Sequence, residues 1–123
     1  MKISIVLPAY NSAKTLPKVY NDIKDFNYEI ILCDDCSKDN TVEIARLLGI
    51  KTLTHKKNLG YGANQKTLYK YAIEQGAEIV VMLHPDYQYD PRVIPYMIGF
   101  IKEGICDVLL GNRIRTRKEC LSG

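Results

Sequence analysis

The sequence contains no tryptophan, only two phenylalanines and no apolar run long enough to cross a bilayer. A transmembrane helix needs about 20 consecutive apolar residues. The first apolar stretch stops at Pro8 and turns polar at Asn11, unlike the apolar core of a secretory signal. We therefore expect neither a spanning segment nor a signal peptide in this sequence.

A strong charge of either sign is also missing. The 17 basic and 14 acidic residues give a net charge of +3, a surplus too small to predict a nucleic-acid partner. The basic residues do crowd one segment, residues 113–118. That segment could hold phosphate, lie against an anionic membrane surface or remain solvated.

The sequence has only four cysteines, and they include one close pair, Cys33-x-x-Cys36. This spacing occurs in redox and zinc motifs, but a zinc site would need a second close pair. Free thiols are typical of the reducing cytoplasm. We therefore expect a cytoplasmic protein, or one at the cytoplasmic face of a membrane.

The two common glycine loops for nucleotides, G-x-x-x-x-G-K-[ST] and G-x-G-x-x-G, are absent as well. What the chain does have is a regular alternation of strands and helices over 123 residues, a length that suits one domain spanning 1–123. Strands are predicted at 2–7, 28–33, 50–54, 78–83 and 106–110, separated by helices, of which the first covers 13–26 and the last 91–104. This order predicts an α/β fold with a mostly parallel sheet and helices on both faces.

A polar cluster follows each predicted strand, at residues 8–11, 34–37, 58–62, 84–86 and 111–113. The carboxyl ends of parallel strands meet at one edge of the sheet, where open α/β sheets bind ligands. Carboxylates that hold a divalent cation would there lie beside donors that hold phosphate oxygens. This combination predicts a site for a nucleotide diphosphate bound through a metal ion.

The fourth cluster has the clearest pattern. His84, Asp86 and Gln88 alternate, so an extended backbone would point all three side chains to one side. Imidazole, carboxylate and amide oxygen are metal-ligand types. The alternative is a polar turn between a strand and the helix that begins at Pro91.

The acidic pair Asp34-Asp35 follows the second strand. Adjacent carboxylates repel each other unless a cation or a hydrogen-bond donor is near. Asp35 could accept hydrogen bonds from a base or a ribose, or the pair could only cap a turn.

Three further candidates lie in the other clusters. Gly60 would let the backbone approach a ligand closely, or would only shape a loop. Tyr10 could be a packing aromatic or a platform for a base, and Arg113 could contact phosphate or be merely exposed. His55 stands beside two lysines and is predicted to be a surface residue.

Taken together, these segments resemble the family 2 glycosyltransferases, and within them the dolichyl- and polyprenyl-phosphate mannosyl- or glucosyltransferases. The matching motifs are IVLPAYN at 5–11, CDDCSKDNT at 33–41, NLGYGA at 58–63 and DYQYDP at 86–91. The resemblance implies the A-type, Rossmann-like glycosyltransferase fold. It also implies a GDP- or UDP-sugar donor and Mg²⁺ or Mn²⁺ as cofactor.

The resemblance extends to individual residues. It implies a nucleotide site formed by Pro8, Ala9, Tyr10, Asn11, Asp35 and Gly60. Asp86 would be the second acid of the family's Asp-x-Asp metal motif, with Gln88 as a further ligand. Arg113 would meet the diphosphate and, like Asp86, serve catalysis.

Three positions depart from the family pattern. The first acid of the metal motif is His84 here, the acid usual at position 12 is Ser12, and the glycine after the acidic pair is Cys36. A neutral imidazole removes one negative charge from the cation site. Because Mg²⁺ prefers oxygen ligands and Mn²⁺ tolerates imidazole better, we expect either a preference for Mn²⁺ or weak metal binding.

The function predicted from the resemblance is transfer of a sugar, with inversion, from a nucleotide-diphosphate donor to an acceptor such as a polyprenyl phosphate. Two alternatives stay open: a catalytically incomplete nucleotide-sugar-binding module, and a nucleotidyltransferase that makes sugar nucleotides. The second would need a glycine- and lysine-rich loop where residues 8–11 stand. Residues 115–123 lack periodicity, so we expect this chain to be the truncated donor-binding half of a longer protein, which could form homo-oligomers.

Overall fold

The computed structural model describes residues 2–85 and 93–102. The strands are β1 (Ile3–Ala9), β2 (Glu29–Asp34), β3 (Lys51–Thr54) and β4 (Ile79–Met82). The helices are α1 (Leu16–Ile23), which continues into a 3-10 turn at Lys24–Phe26, α2 (Thr41–Leu47), α3 (Tyr61–Glu74) and α4 (Val93–Lys102). The predicted fifth strand, 106–110, lies outside the described residues.

The described strands form one parallel sheet in the order β3-β2-β1-β4. β1 is central and all seven of its residues are buried, as expected for a strand with neighbours on both edges and helices on both faces. The predicted fold class, a parallel α/β sheet covered on both faces, is therefore confirmed.

Alternate residues of β1 reach two separate cores. Ile5 and Leu7 pack with buried residues of α1, α2 and α4 on one face of the sheet. Val6 points to the other face, where Leu68 and Ala72 of α3 complete a smaller core. Because successive side chains of a strand point to opposite faces, β1 contributes to the core under α1, α2 and α4 and to the core under α3.

The strand order places a crevice beside β1. From β1 the chain proceeds outward to β2 and β3, and then returns so that β4 pairs with the other edge of β1. In open α/β sheets, ligands bind outside the carboxyl ends of the strands at such a reversal. The Leu83 N–H donates to the Val6 carbonyl at 3.0 Å, which extends this pairing to the residue before His84.

The first helix begins at Leu16, later than the predicted start at residue 13. The Ser12 carbonyl accepts from the N–H groups of Thr15 and Leu16, so the preceding loop forms a turn of its own. Pro17 lies in the first turn of α1, where the N–H that proline lacks would have no partner within the helix. No helix within residues 2–85 and 93–102 is long and apolar enough to cross a membrane.

Candidate nucleotide site

A cavity of about 260 Å³ opens at the carboxyl ends of β1 and β4. It is lined by Pro8, Ala9, Tyr10, Asp35, Asn58, Gly60, Tyr61, Asn64 and His84. Three of the predicted strand-end clusters and the glycine turn therefore meet at one edge of the sheet. The structure brings together five of the residues predicted for the nucleotide site: Pro8, Ala9, Tyr10, Asp35 and Gly60.

Of the other predicted site residues, His84 also lines the cavity, Asn11 does not, and three are not described by the structure. Asn11 is not among the residues that line the cavity. Its side-chain oxygen accepts the Lys38 N–H at 2.8 Å, and its own N–H donates to Ser37 Oγ at 2.7 Å. Asn11 therefore ties the loop after β1 to the loop after β2. Asp86, Gln88 and Arg113 lie outside the described residues.

Asp35 is an acceptor of the cavity whose two oxygens both have hydrogen-bond partners. Its Oδ1 accepts the Leu59 N–H at 2.9 Å and lies 2.9 Å from His55 Nδ1. Its Oδ2 accepts the Gly60 N–H at 2.9 Å. These contacts fix the carboxylate against the loop that leads into α3, and only 6% of the side chain is exposed.

The hydrogen bonds decide the protonation state of this carboxylate. Burial by itself would raise the pKa of Asp35, but the bonds from Leu59, His55 and Gly60, with the charge of His55, outweigh it and lower the pKa below its ordinary value. Asp35 is therefore ionised at neutral pH and acts as an acceptor only.

Asp34 has a different set of donors. One oxygen accepts the Ser37 N–H at 2.9 Å and the other accepts the Ser37 hydroxyl. The adjacent carboxylates thus coexist because separate donors satisfy each of them, as predicted for two neighbouring acids. Asp34 forms the turn after β2, whereas Asp35 faces the cavity.

The prediction that His55 is a surface residue was wrong. Its side chain is 10% exposed, with Nδ1 on Asp35 and Nε2 2.9 Å from Thr67 Oγ1. Nε2 also lies 3.7 Å from Cys33 Sγ. His55 follows β3 directly, and the strand-end rule applied to the other clusters would have identified it. The neighbouring lysines obscured that position in the sequence.

Within the described part of the chain, Cys33 and Cys36 are free cysteines in different surroundings. Burial, together with the negative charges of Asp35 and Asp34, raises the pKa of Cys33 to about 12. Cys36 is a free thiol whose Sγ donates to the Lys56 carbonyl at 3.7 Å. Its φ of 63° is left-handed, a conformation that favours glycine, the residue that the family resemblance implies at this position.

Aromatic rings form the rim of the cavity. Tyr61 and His84 stack with their ring centroids 5.1 Å apart, and the Tyr61 hydroxyl lies 2.7 Å from His84 Nε2. Tyr10, at the end of β1, exposes 42% of its surface. The cavity thus combines a buried anionic acceptor with partly exposed aromatic faces, which suits a planar ligand that carries a hydrogen-bond donor.

The candidate metal ligands are only partly described. Within residues 2–85 and 93–102 no group of three acidic, histidine or cysteine side chains could hold a metal ion. His84 is the one predicted ligand in this part of the chain, and its Nε2 is engaged by Tyr61. A metal ion at Nε2 would have to displace the tyrosine hydroxyl, so this arrangement does not fit coordination through that nitrogen.

Two curated relatives match nearly the whole chain. A Methanococcus voltae UDP-N-acetylglucosamine–dolichyl-phosphate N-acetylglucosaminyltransferase is 33% identical over 95% of this chain and 54% of its own length. A Pyrococcus furiosus dolichol-phosphate mannosyltransferase is 32% identical over 92% of this chain and 33% of its own. The chain thus spans between a third and about half of these relatives.

A solved structure shares the fold. Glucosyl-3-phosphoglycerate synthase from Mycobacterium tuberculosis, crystallised with Mn²⁺, UDP and glucosyl-3-phosphoglycerate, has a TM-score of 0.67 and 26% identity. The likeness covers 81% of this chain and 39% of that one. The family model for glycosyl transferase family 2 matches residues 4–122. The chain therefore belongs to glycosyl transferase family 2.

Proposed function

We propose that this chain forms the donor site of a glycosyltransferase that takes its sugar from a uridine-diphosphate sugar. The observation that carries the proposal is the ionised carboxylate of Asp35, which lines the cavity and is held by three donors. The aromatic rim supplies faces for a base, and the strand reversal beside β1 supplies the crevice.

The choice of uracil as the base rests on the acceptor positions of Asp35 that remain available to a ligand. A carboxylate offers about four lone-pair sites, two on each oxygen. Among the described residues, Oδ1 has two partners and Oδ2 has one, so one site on Oδ2 stays open. Uracil presents a single ring N–H, at N3, which needs one acceptor. Guanine presents donors at N1 and N2 that would engage both carboxylate oxygens, and Oδ1 is already filled.

The related proteins agree with this choice of base. The Methanococcus voltae relative is named for a UDP-sugar, and the solved Mycobacterium tuberculosis enzyme holds UDP. The name of the Pyrococcus furiosus mannosyltransferase specifies no nucleotide, so GDP is compared with UDP in the titration.

The contacts that we propose for the diphosphate and the metal ion lie outside the described residues. We propose Asp86 and Gln88 as cation ligands and Arg113 as the diphosphate contact, as the family motif implies. The solved relative contains Mn²⁺. If His84 joins the ligands after releasing Tyr61, its imidazole favours Mn²⁺ over Mg²⁺. A bound cation would neutralise charge on the leaving diphosphate.

For the acceptor we propose a polyprenyl phosphate at a membrane surface, since two relatives are named for dolichyl or dolichol phosphate. A phosphate oxygen is already anionic at neutral pH and needs no strong general base. Its in-line attack on the anomeric carbon expels the nucleoside diphosphate and inverts that carbon. The alternative is a module that binds the donor without completing transfer.

Isothermal titration with UDP, GDP and N3-methyl-UDP tests the base. The methyl group removes the N3–H, so we expect N3-methyl-UDP to bind about 10- to 150-fold more weakly than UDP, the range for a hydrogen bond to a charged group. GDP should also bind more weakly. Equal affinity for UDP and N3-methyl-UDP, or tighter binding of GDP, would refute the proposed base contact.

Transfer is tested separately with radiolabelled UDP-glucose and UDP-N-acetylglucosamine, each incubated with and without polyprenyl phosphate. Label in the lipid fraction supports the transferase. Binding without lipid labelling or donor hydrolysis would favour the incomplete module. Parallel titrations with MnCl₂ and MgCl₂ in the presence of UDP test the cation, and tighter binding of Mg²⁺ would contradict the Mn²⁺ preference.

A further inference from the structure

We propose that His55 is a positioning residue of the nucleotide site, which holds the Asp35 carboxylate in the rotation that leaves one Oδ2 lone pair for the base. This inference rests on the proposed uracil contact. His55 is not among the residues that line the cavity, so its effect would act through Asp35.

The direction of the His55–Asp35 hydrogen bond is determined by its partners. An ionised carboxylate has no proton to give, so the proton in the 2.9 Å contact resides on His55 Nδ1. On the other side of the ring, the Thr67 hydroxyl donates to the Ala63 carbonyl at 3.0 Å, and its oxygen lies 2.9 Å from Nε2. The imidazole is therefore fixed at both nitrogens.

Three structural elements anchor this imidazole. The His55 N–H donates to the Asp34 carbonyl at 2.9 Å, at the end of β2, and His55 itself follows β3. Thr67 stands within α3, two turns after the helix begins. His55 thus links the ends of β2 and β3 to α3 through hydrogen bonds of its backbone and its ring. Its side chain is nearly buried.

Asp35 needs such an anchor because the χ2 angle of aspartate is broad and the other two donors belong to a loop. Leu59, one of those loop residues, exposes about half of its surface at 49%. Without the His55 bond, Oδ1 would lose one of its two partners, and the carboxylate could turn away from the position that meets the base. An acceptor position on Oδ1 would also become available. The site would then discriminate less well between uracil, which presents one donor, and guanine, which presents two.

A matched pair of substitutions isolates this role. In His55→Asn the side-chain NH₂ replaces Nδ1–H as donor to Asp35, whereas in the nearly isosteric His55→Leu no donor remains. His55→Gln places its NH₂ near the position of Nε2, so this variant keeps the contact with Thr67 and loses the contact with Asp35. All three variants are first checked for folding by circular dichroism and thermal melting.

The measured quantity is the ratio of the dissociation constants of N3-methyl-UDP and UDP. We expect the wild type and His55→Asn to keep a ratio of about 10 or more, and His55→Leu and His55→Gln to fall to about 3 or less, as expected when a well-placed charged hydrogen bond is lost. A purely structural role would weaken both ligands alike and leave the ratio unchanged in His55→Leu. That result would overturn the inference.

Nuclear magnetic resonance of ¹⁵N-histidine-labelled wild type gives a readout that does not depend on any variant folding. We expect a protonated Nδ1 for His55, coupled to a slowly exchanging proton. An unprotonated Nδ1 would overturn the inference. If the wild type itself fails to distinguish UDP from N3-methyl-UDP, the proposed uracil contact fails instead, so the two failures are distinguishable.

Discussion

At the scale of single residues, Gly60 has the strictest backbone requirement of the cavity. Its φ of 94° and ψ of 168° fall in a region that is essentially restricted to glycine. This conformation lets its N–H donate to Asp35 Oδ2 at 2.9 Å and to Asn58 Oδ1 at 3.1 Å just before α3 begins. A Cβ at Gly60 would meet nothing within 4 Å, so any cost of a side chain is a backbone cost.

We therefore expect Gly60→Ala to lower the free energy of unfolding by about 1–3 kcal/mol and to weaken UDP binding. Gly62→Ala is the matched control, because Gly62 lies in the first turn of α3, has no positive φ and also has open space for a Cβ. Alanine is the better helix former, so this variant should be unchanged or stabilised by up to about 1 kcal/mol. Urea denaturation of both variants measures the difference, and equal destabilisation would contradict the backbone argument.

The sequence predicts the residues of the cavity where a polar cluster follows an apolar strand. Asp35 and Tyr10 were found in this way. His55 was missed because a histidine between hydrophilic neighbours has the same appearance whether its ring is solvated or buried against a carboxylate. Only the tertiary structure shows that Asp35 and Thr67 lie on either side of it.

At the scale of elements, α3 is the one helix within residues 2–85 and 93–102 that covers one face of the sheet, while α1, α2 and α4 cover the other. Its buried residues Leu68 and Ala72 pack on Val6, Ile31, Cys33 and Met82. The opposite face has three helices and a larger core. The small core under α3 therefore has fewer apolar neighbours with which to compensate for a lost side chain.

We expect Leu68→Ala, at a fully buried position, to lower the free energy of unfolding by about 2–5 kcal/mol. Ile73→Ala on the same helix is the control, since Ile73 is 64% exposed and should cost less than about 0.5 kcal/mol. Guanidinium denaturation followed by circular dichroism compares them. If both variants lost the same small amount of stability, the packing of Leu68 against this face would not stabilise the fold as argued.

Strands and helices were predicted well wherever an apolar period ran uninterrupted, and their ends were predicted less well. The start of α1 is delayed by contacts that no local pattern contains. The Ser12 N–H donates to Thr41 Oγ1 at 2.9 Å, and the Ala13 N–H donates to Asp39 Oδ2 at 3.2 Å. These long-range bonds hold residues 12 and 13 in the loop, although their sequence would allow a helix.

At the scale of the whole molecule, the order of the strands determines where the site lies. Alternating strands and helices predict a parallel sheet, but the same pattern is compatible with several strand orders. The structure selects β3-β2-β1-β4, which puts the ends of β1 and β4 on either side of one crevice. Tyr10 and His84 both line this crevice because β1 and β4 are neighbours in the sheet. Neither sequence segment by itself predicts this.

Two carboxylates link separate parts of this molecule and make its stability depend on acid. Asp35 joins β2 to the loop before α3. Asp39 accepts from the Thr41 hydroxyl, from the Thr41 N–H at 3.0 Å and from Ala13 N–H, and so joins the loop after β1 to α2. Burial tends to raise the pKa of Asp39, but these hydrogen bonds outweigh it and lower the pKa below its ordinary value.

A lowered pKa in the folded state means that the unfolded chain binds protons first as the pH falls. The stabilisation from both carboxylates is therefore complete above the ordinary aspartate pKa of about 4. It is lost as the pH drops through the lower pKa of the folded state. We expect the urea midpoint to decrease between pH 6 and pH 3, and to decrease less in Asp39→Asn, whose side chain no longer titrates.

Asp25→Asn is the control for this slope, since Asp25 is exposed and has no hydrogen bond or ion pair among the residues whose structure is described. It should retain the wild-type dependence on pH, because the Asp39 carboxylate and its hydrogen bonds to Thr41 and Ala13 are intact in this variant. An unaltered slope in Asp39→Asn would mean that its bonds to Thr41 and Ala13 do not favour the ionised form. The loops after β1 and β2 would then be held together by Asn11 and Ser37 without help from charge.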